Sequence, residues 1–228
     1  MSGADVRQGR KTRGLTQRDL ADKLGVSQGY VSLLESNDRS VPRHLASRLV
    51  SLLDLPAYRL PVSNSEPLSP DRVVGALGTL GYPGFEHVRS HRKLNPAEVV
   101  LRALRSKNVE ARVVEALPWV LLHYPDVDWQ WLLSTAKQHD LQNRLGFVVS
   151  VARELAERRG NSKAATTLHR WEQSLEGSRL QREDAFAGDA STETERRWLR
   201  NNRSAEAAHW NLLTSVSADT LSRDFSLA

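Results

Sequence analysis

The pattern of apolar and polar residues near the start of the chain predicts two short amphipathic helices that meet at a glycine. Leu20, Ala21 and Leu24 recur at the three- and four-residue spacing of one buried helical face. Thr16 stands before them and is a good N-cap. Gly25 follows where a helix needs a left-handed residue to stop. The first helix is therefore expected to end at this glycine and the second to begin directly after it.

The second helix is expected to be capped by Ser27 and to bury Val31 and Leu34. Two helices joined by a short glycine turn form a helix-turn-helix. The stretch resembles the Cro and phage-repressor family of helix-turn-helix proteins, also called the xenobiotic-response-element (XRE) family, and the resemblance covers roughly residues 4–56. It implies a lambda-repressor-like fold for this quarter of the chain, and sequence-specific binding of duplex DNA.

Further residues of this stretch agree with the family pattern. The family commonly has a structural ion pair at the positions of Arg10 and Glu35, so the resemblance assigns both side chains to the scaffold. Apolar residues of later helices are expected to close the core: Val41, Leu45, Leu49 and Leu52.

Base readout is predicted at the start of the second helix, because the family places this end of the helix in the major groove. Gln28 is the main candidate, since its carboxamide can donate and accept together and so matches N6 and N7 of adenine. Ser32 offers a shorter hydroxyl contact, Gly29 brings no side chain, and Leu33 can only touch a thymine methyl group or cover the helix stem. With few groups for direct readout, DNA shape and dimer geometry are expected to add specificity.

Phosphate contacts are predicted for polar and basic residues around the same helix. Gln17 lies in the first turn of the preceding helix, whose positive end favours anions. The other candidates are a capping serine, a tyrosine and three residues after the recognition helix: Ser27, Tyr30, Asn37, Arg39 and Arg43. The competing interpretation is that these are ordinary solvated residues, and that the two arginines only raise the local positive charge.

The net positive charge of the chain is concentrated with this motif. Residues 1–60 contain ten Lys and Arg against six Asp and Glu, whereas residues 61–228 contain 22 against 21. This asymmetry suits a polyanionic partner, and the motif favours double-stranded DNA over RNA or an anionic membrane. The chain has no cysteine, which excludes disulfides, thiolate catalysis and sulfur-bound zinc.

Enzymatic and membrane functions are not expected. No nucleophile motif is recognisable, and no catalytic residue, metal or cofactor is predicted. His87 and His91 are four residues apart, but no glutamate lies between them as in zinc-hydrolase motifs. No secretory signal and no apolar run of about 18 residues is present, so a soluble cytoplasmic protein is expected.

The rest of the chain is predicted to be a second, all-helical domain. Residues 57–70 are rich in proline and serine, as is typical of a linker, so the expected division is a DNA-binding domain at 1–56 and a helical domain at 71–228. No alternating run of β-branched residues argues for a sheet. Helices are predicted near the following positions: 70–80, 96–104, 109–122, 129–133, 141–159, 162–175, 194–201, 205–213 and 218–225.

The function of the second domain is open between two classes. Helical pairs at 96–122 and 128–159 could stack as HEAT-like units, and all six tryptophans lie in this domain, where most are expected to be core residues. In the favoured reading the chain is a repressor that binds an inverted-repeat operator as a homodimer, and the second domain holds the dimer or senses a signal. In the alternative the chain is an antitoxin, whose second domain neutralises a toxin while its first domain represses the shared operon.

Overall fold

The computed structural model describes residues 1–63, 68–88, 90, 93–106, 109–186 and 192–224, and these are very largely helical. Contacts divide the chain into two compact units, Met1–Ser63 with Arg92–Asn95 and Asn64–His91 with Pro96–Ala228. The predicted fold class, a helix-turn-helix domain followed by a helical domain, is confirmed. Part of the predicted linker, residues 64–67, lies outside the described residues.

The first unit is built from helices α1 (Gly3–Thr12), α2 (Gln17–Leu24), α3 (Gln28–Glu35) and α4 (Arg43–Leu53). Each contributes one apolar face to a common core of Val6, Leu20, Ala21, Leu24, Val31, Leu45, Leu49 and Leu53. Val41 and Leu52 pack against this core as partly buried residues. A Cβ on Gly3 would lie 2.2 Å from the carbonyl oxygen of Leu34, so α1 begins in direct backbone contact with the end of α3.

The local signals that predicted the two central helices are confirmed. The Thr16 hydroxyl accepts a hydrogen bond from the Asp19 N–H (3.1 Å), and the Asp19 carboxylate accepts one from the Thr16 N–H (2.8 Å). Gly25 ends α2 with a left-handed φ of 70°. The Ser27 hydroxyl caps α3 by accepting from the Tyr30 N–H (3.1 Å). Each device acts within a few residues of the chain, so it can be recognised from sequence.

Residues after α4 continue the first unit. A 3-10 turn at Ala57–Arg59 is followed by Leu60, which is buried with Ala46 and Val50 of α4. The side-chain amide of Asn95 donates to the carbonyl oxygens of Tyr58 (3.0 Å) and Leu60 (2.6 Å). The first residues of the predicted linker are therefore packed against α4.

The second unit contains most of the helices. They are α5 (Pro70–Leu80), α6 (Pro96–Arg105), α7 (Ala111–His123), α8 (Trp129–Gln138), α9 (Gln142–Arg158), α10 (Ser162–Glu176), α11 (Glu193–Asn202), α12 (Ala205–His209) and α13 (Ala218–Asp224), with a 3-10 turn at Pro83–Phe85. Two very short strands, β1 (Asp184–Ala185) and β2 (Leu212–Leu213), pair in parallel. The HEAT-like arrangement of helical pairs stays a prediction.

Helix α9 lies at the centre of this unit and packs against α7, α8, α10, α12, α13 and β2. A Cβ on Gly146 of α9 would lie 2.5 Å from the ring of Trp210. The indole therefore packs directly against this glycine. The indole N–H of Trp210 donates to the Ser150 hydroxyl (2.8 Å), which satisfies the one polar group of a fully buried side chain.

The helix predicted to run from Ala205 to Leu213 ends at His209, so its predicted C-terminus was wrong. Asn211 has a left-handed φ of 53°, and the next two residues pair with β1 as β2. Both leucines of β2 are almost fully buried. Two adjacent apolar residues are compatible with either a helix or a strand. Here the two leucines form a strand because they pair with β1, which is remote in sequence.

The tryptophans differ in burial. Trp119, Trp129 and Trp210 are buried, Trp131 and Trp171 are partly buried, and Trp198 is 58% exposed. Three of the six tryptophans are thus core residues, whereas most of the six were expected to be. In the part of the chain that the structure describes, none of the helices is long and apolar enough to cross a bilayer.

Candidate nucleic-acid interface

The residues predicted to read bases form one exposed face of α3. Gln28, Gly29, Ser32 and Leu33 are all exposed, and Leu33 leaves 44% of its surface open. The opposite face of the helix is buried in the core. The amphipathic pattern of this helix therefore presents these four residues together at the surface.

The side chains of Gln28 and Gln17 are brought together by a chain of hydrogen bonds. The amide nitrogen of Gln28 donates to the amide oxygen of Gln17 (2.7 Å). The amide nitrogen of Gln17 donates in turn to Oε2 of Glu35 (3.0 Å). A predicted base reader, a predicted phosphate contact and a scaffold residue are thus joined in one network, which we call the glutamine relay (Gln28, Gln17 and Glu35).

The glutamine relay determines which way each carboxamide faces. A carboxylate only accepts hydrogen bonds, so Gln17 must turn its NH₂ group toward Glu35. Its oxygen then faces Gln28, which must supply an N–H to it. Gln28 keeps its own amide oxygen and its second N–H for an outside partner. An acceptor and a donor side by side are the pair that complements N6 and N7 of adenine.

The inner end of the relay is an ion pair in the core. Arg10 donates from Nε to Oε1 of Glu35 (2.6 Å) and from Nη2 to Oε2 (3.1 Å). Only 11% of the arginine side chain and 1% of the glutamate side chain are exposed. A third guanidinium N–H of Arg10 donates to the carbonyl oxygen of Leu15 (2.7 Å). The ion pair implied by the family resemblance is therefore confirmed.

Glu35 is ionised more readily than an ordinary glutamate. Burial opposes its ionisation, but hydrogen bonds from Arg10 and Gln17, together with the charges of Arg10 and Arg7, outweigh this effect and lower the pKa of Glu35. The carboxylate that orients Gln17 is consequently held in the form that accepts hydrogen bonds.

Two predicted phosphate contacts, Tyr30 and Arg39, lie next to each other. The guanidinium of Arg39 lies over the Tyr30 ring, 5.3 Å from its centroid. Arg39 is exposed and Tyr30 is partly buried. A guanidinium above an aromatic ring is attracted to it and has its orientation restricted, while its N–H groups stay available for hydrogen bonds.

The remaining predicted phosphate contacts have structural partners. Asn37 adopts a left-handed φ of 63°, and its side-chain oxygen accepts a hydrogen bond from the Gly3 N–H (2.6 Å). Asn37 therefore links the end of α3 to the start of α1. Arg43, in the first turn of α4, donates to the Ser63 hydroxyl (2.5 Å). Ser27 caps α3 as described above, and DNA contacts by these residues stay predictions.

Sequence reasoning missed Arg7. Its Nε lies 3.7 Å from Oε2 of Glu35, and 61% of its side chain is exposed. The residue therefore places a solvent-accessible positive charge beside the glutamine relay. Its three-residue spacing from Arg10 on α1 was the signal that could have found it, since residues three apart share a helix face.

No metal site was predicted at the histidines of the chain. Within the described ranges, no group of three or more His, Cys, Asp or Glu side chains is arranged to hold a metal ion. His91, one half of the histidine pair noted in the sequence, lies outside the described residues.

Comparison with known proteins identifies the first unit. A family model described as helix-turn-helix matches residues 6–60, which include α2, α3 and α4 and most of α1. No curated protein and no solved structure shows significant similarity to the chain. Together with the capped helices, the glycine turn and the buried ion pair, this match shows that residues 6–60 form an XRE-type helix-turn-helix domain, a DNA-binding domain of transcriptional regulators.

Proposed function

We propose that this chain is a sequence-specific transcriptional regulator that binds an inverted-repeat operator as a homodimer and acts as a repressor. The glutamine relay is the observation that carries this proposal. It leaves the outward donor and acceptor of Gln28 in fixed positions on an exposed face of α3. A pre-oriented carboxamide loses less conformational entropy on binding than a freely rotating one.

Base readout follows from this orientation. With α3 in the major groove, the amide oxygen of Gln28 accepts from the N6 amino group of adenine and its N–H donates to N7. Ser32 is exposed on the same face and reaches a neighbouring base. Leu33 is exposed beside it and suits the methyl group of a thymine.

Phosphate contacts supply the rest of the affinity. Gln17 is the first residue of α2, where backbone N–H groups lack partners within the helix and favour an anion. Arg7 adds an exposed guanidinium next to the relay, and Arg39 adds another beside Tyr30. These contacts are not specific for sequence, so the binding they provide weakens as the salt concentration rises.

A dimer follows from the small number of base-reading groups. One good bidentate contact discriminates by about 1–3 kcal/mol, whereas specific binding exceeds non-specific binding by about 4–10 kcal/mol. The exposed face of α3 offers one carboxamide and one hydroxyl for readout. Two copies related by a two-fold axis, with half-sites roughly 10–10.5 base pairs apart, double the number of specific contacts.

The test is selection of bound duplexes from random DNA by the full chain, compared with the Gln28→Ala variant. We expect the wild type to select an inverted repeat, and the variant to lose about 1–3 kcal/mol of discrimination at one position of each half-site. Gln8→Ala is the matched control, because Gln8 is an exposed glutamine of α1 outside the relay. An equal loss on all sequences would place Gln28 on the DNA backbone, and selection of no sequence would refute the proposed function.

A second candidate function is that of an antitoxin whose second unit binds a toxin. Helix α11 has no buried residue, and it carries Trp198 with 58% of its surface exposed. Exposed tryptophans are frequent anchors of protein interfaces. Co-expression with the product of the neighbouring gene tests this candidate: a toxin that co-purifies with the wild type, but not with Trp198→Ala, supports it. A wild type that purifies alone contradicts it.

A further inference from the structure

Helix α11 is held to the second unit mainly by its arginines. Arg200 donates to Oε1 of Glu183 (2.8 Å), and Arg196 donates to the same oxygen (3.4 Å). Arg203, directly after the helix, donates to the carbonyl oxygen of Leu212 in β2 (3.1 Å). Every other described helix of this unit buries at least one residue, whereas α11 buries none. Most of the circumference of α11 is therefore exposed.

The outward face of α11 consists of Thr194, Arg197, Trp198 and Asn201. Their spacing is that of one helix face, and all four residues are exposed. Among the described residues, the guanidinium of Arg197 and the indole N–H of Trp198 have no hydrogen-bond or ion-pair partner. Tryptophan and arginine are enriched among the side chains that anchor protein interfaces. This face, here called the α11 face, therefore has the composition of a protein contact surface.

The exposed apolar side chains point to the same surface. In the part of the chain that the structure describes, the large apolar side chains that are exposed are Leu33 and Trp198. Leu33 belongs to the candidate DNA interface on α3. Trp198 is therefore the exposed large apolar residue that is left for contact with another protein.

The charges of α11 are divided between its two halves. Glu193 and Glu195 lie in the first turn, and the arginines follow at positions 196, 197 and 200. A second copy of this helix complements the first only if it runs in the opposite direction, because a parallel copy would place like charges side by side. We propose that two copies of this chain pair through their α11 faces, antiparallel and about a two-fold axis. This pairing gives the homodimer of the proposed function its contact surface, and it rests on that function.

The bounds of α11 determine the register of the pair. The centre of the helix lies between Arg197 and Trp198. An antiparallel copy centred on the same point brings Arg197 against the partner's Trp198, and Thr194 against the partner's Asn201. Each contact then occurs twice, as a two-fold axis requires. A guanidinium over an indole ring is attracted to it, and tryptophan is the best aromatic partner for such a contact.

The edge of the α11 face is compatible with this register. Within one chain, Glu193 accepts from Arg200 at the opposite end of the helix (3.2 Å). In the antiparallel pair, Glu193 lies two residues along the axis from the partner's Arg200. Each Glu193 carboxylate therefore gains a second arginine, and no glutamate of this edge faces its own copy.

The length of α11 limits the strength of the pairing. Ten residues at 1.5 Å each make a helix about 15 Å long. Two such helices cover less surface than the roughly 1,600 Å² of a standard stable interface. The chain is therefore expected to exchange between monomer and dimer, with the dimer favoured at high protein concentration.

The test is sedimentation equilibrium of the full chain without DNA, from low micromolar to several hundred micromolar protein. We expect the wild type to show a reversible monomer–dimer equilibrium. Trp198→Ala and Arg197→Glu should each raise the dimer dissociation constant about tenfold or more, with unchanged far-UV circular dichroism. Arg170→Glu makes the same charge change at an exposed arginine of α10, and it should leave the dissociation constant unchanged.

Disulfide cross-linking tests the direction of the pairing, because the chain has no cysteine of its own. Thr194→Cys and Asn201→Cys chains should cross-link when they are mixed and oxidised. Neither chain should cross-link alone, since identical positions lie about 10 Å apart along the axis of an antiparallel pair. A disulfide dimer of Thr194→Cys alone would indicate parallel helices and would overturn the proposal.

Other outcomes would also overturn the proposed pairing. These are a wild type that stays monomeric at every concentration, a dimer that Trp198→Ala and Arg197→Glu leave intact, and a monomer whose Trp198 binds the product of the neighbouring gene. A monomer that still selects an inverted repeat would refute the pairing and leave the regulator function standing. Dimerisation through α11 without any selection of DNA would do the reverse.

Discussion

Glu35 belongs to the scaffold of the first unit and, although buried, also supports the candidate DNA-binding face. One of its oxygens accepts from Arg10, and the other accepts from Arg10 and Gln17. The first interaction holds α1 against α3, and the second orients the carboxamide that in turn orients Gln28. Since one side chain serves both purposes, changes at this position are expected to affect stability and base readout together.

Replacing Glu35 by Gln should destabilise the first unit by about 3–5 kcal/mol, because the buried guanidinium of Arg10 loses its counter-charge. Native-state hydrogen exchange of the full chain can measure this, since the amides of α1 to α4 report on the first unit and those of α9 on the second. Asp22→Asn is the control, as Asp22 is an exposed acid of α2. Equal protection of α1 to α4 in the wild type and Glu35→Gln would contradict the assigned role.

Acid should weaken the same unit. A carboxyl group whose pKa is lowered on folding stabilises the fold fully above its ordinary pKa, about 4.3 for glutamate, and this stabilisation is lost as the pH falls through the lower folded value. The pKa of Glu35 is lowered in the folded chain. We therefore expect the free energy of unfolding of the first unit to decrease as the pH falls below about 4.3.

Glu35→Gln should show a shallower decline in the same pH titration of stability. A smaller slope should remain in this variant, because hydrogen bonds with Thr16 also lower the pKa of Asp19. An identical slope in the wild type and the variant would show that other carboxyl groups determine the acid sensitivity.

At the level of secondary-structure elements, Arg144 joins two helices of the second unit to its short sheet. From α9 it donates to both carboxylate oxygens of Asp184 in β1 (2.6 and 3.1 Å). It also donates to the carbonyl oxygens of Leu104 (2.8 Å) and Ser106 (3.1 Å) at the end of α6. Its guanidinium lies 5.2 Å from the centroid of the Phe186 ring. One side chain thus connects α9, α6 and β1.

Arg144→Lys keeps the charge but loses the planar fork of donors that these contacts require. We expect the second unit to lose at least about 2 kcal/mol, since hydrogen bonds to charged groups contribute about 1.5–3 kcal/mol each. Urea unfolding followed by tryptophan fluorescence reports on this unit, because all six tryptophans lie in it. Arg170→Lys, at an exposed arginine, should leave the midpoint unchanged. The same midpoint for Arg144→Lys would show that these contacts contribute nothing to stability.

Most helices could be predicted from sequence, whereas the connections between elements could not. A helix such as Pro70–Leu80 has its start and stop signals at Ser69, Pro70 and Gly81, all within the segment itself. The pairing of β1 with β2 joins two-residue segments that are remote in the chain and have no periodic pattern. Arg144 likewise carries no local sign of its partners. Contacts of this kind depend on the packed structure.

The charge of the whole molecule is concentrated in the first unit. Residues 1–60 carry a net charge of +4 out of a total of +5. Electrostatic attraction to DNA is therefore expected to act mainly on the helix-turn-helix domain, and to position it before base contacts form.

Arg39→Gln should lower the affinity for all DNA sequences by a similar factor and reduce the slope of log K against log salt by about one, if this side chain contacts a phosphate. Fluorescence anisotropy of the full chain with operator and random duplexes at several salt concentrations measures this slope. Arg170→Gln in the second unit should leave both quantities unchanged. An unaltered slope for Arg39→Gln would assign Arg39 to packing on Tyr30 alone.

The exposure of the predicted base readers on α3 could be anticipated from the sequence, but the hydrogen bonds that connect them to other helices could not. Gln28, Ser32 and Leu33 were proposed from the family resemblance and their side-chain chemistry, and their exposure agrees with the helical period of α3. Gln17 was expected only to contact phosphate, and its bridge to Glu35 joins residues from separate helices. The use of the Asn37 side chain to bind the Gly3 N–H also depends on the approach of α1 to α3.

The glutamine relay has a consequence for how this protein can diverge. Gln17 orients Gln28 by accepting its hydrogen bond. A different residue at position 28 would still lie beside a Gln17 side chain that is oriented for Gln28. Retargeting to a different operator is then expected to need paired substitutions at positions 17 and 28, with Glu35 retained as their common support. Natural variants of this domain should accordingly differ at both positions together. A substitution at only one of the two positions should give a protein that discriminates poorly between DNA sequences.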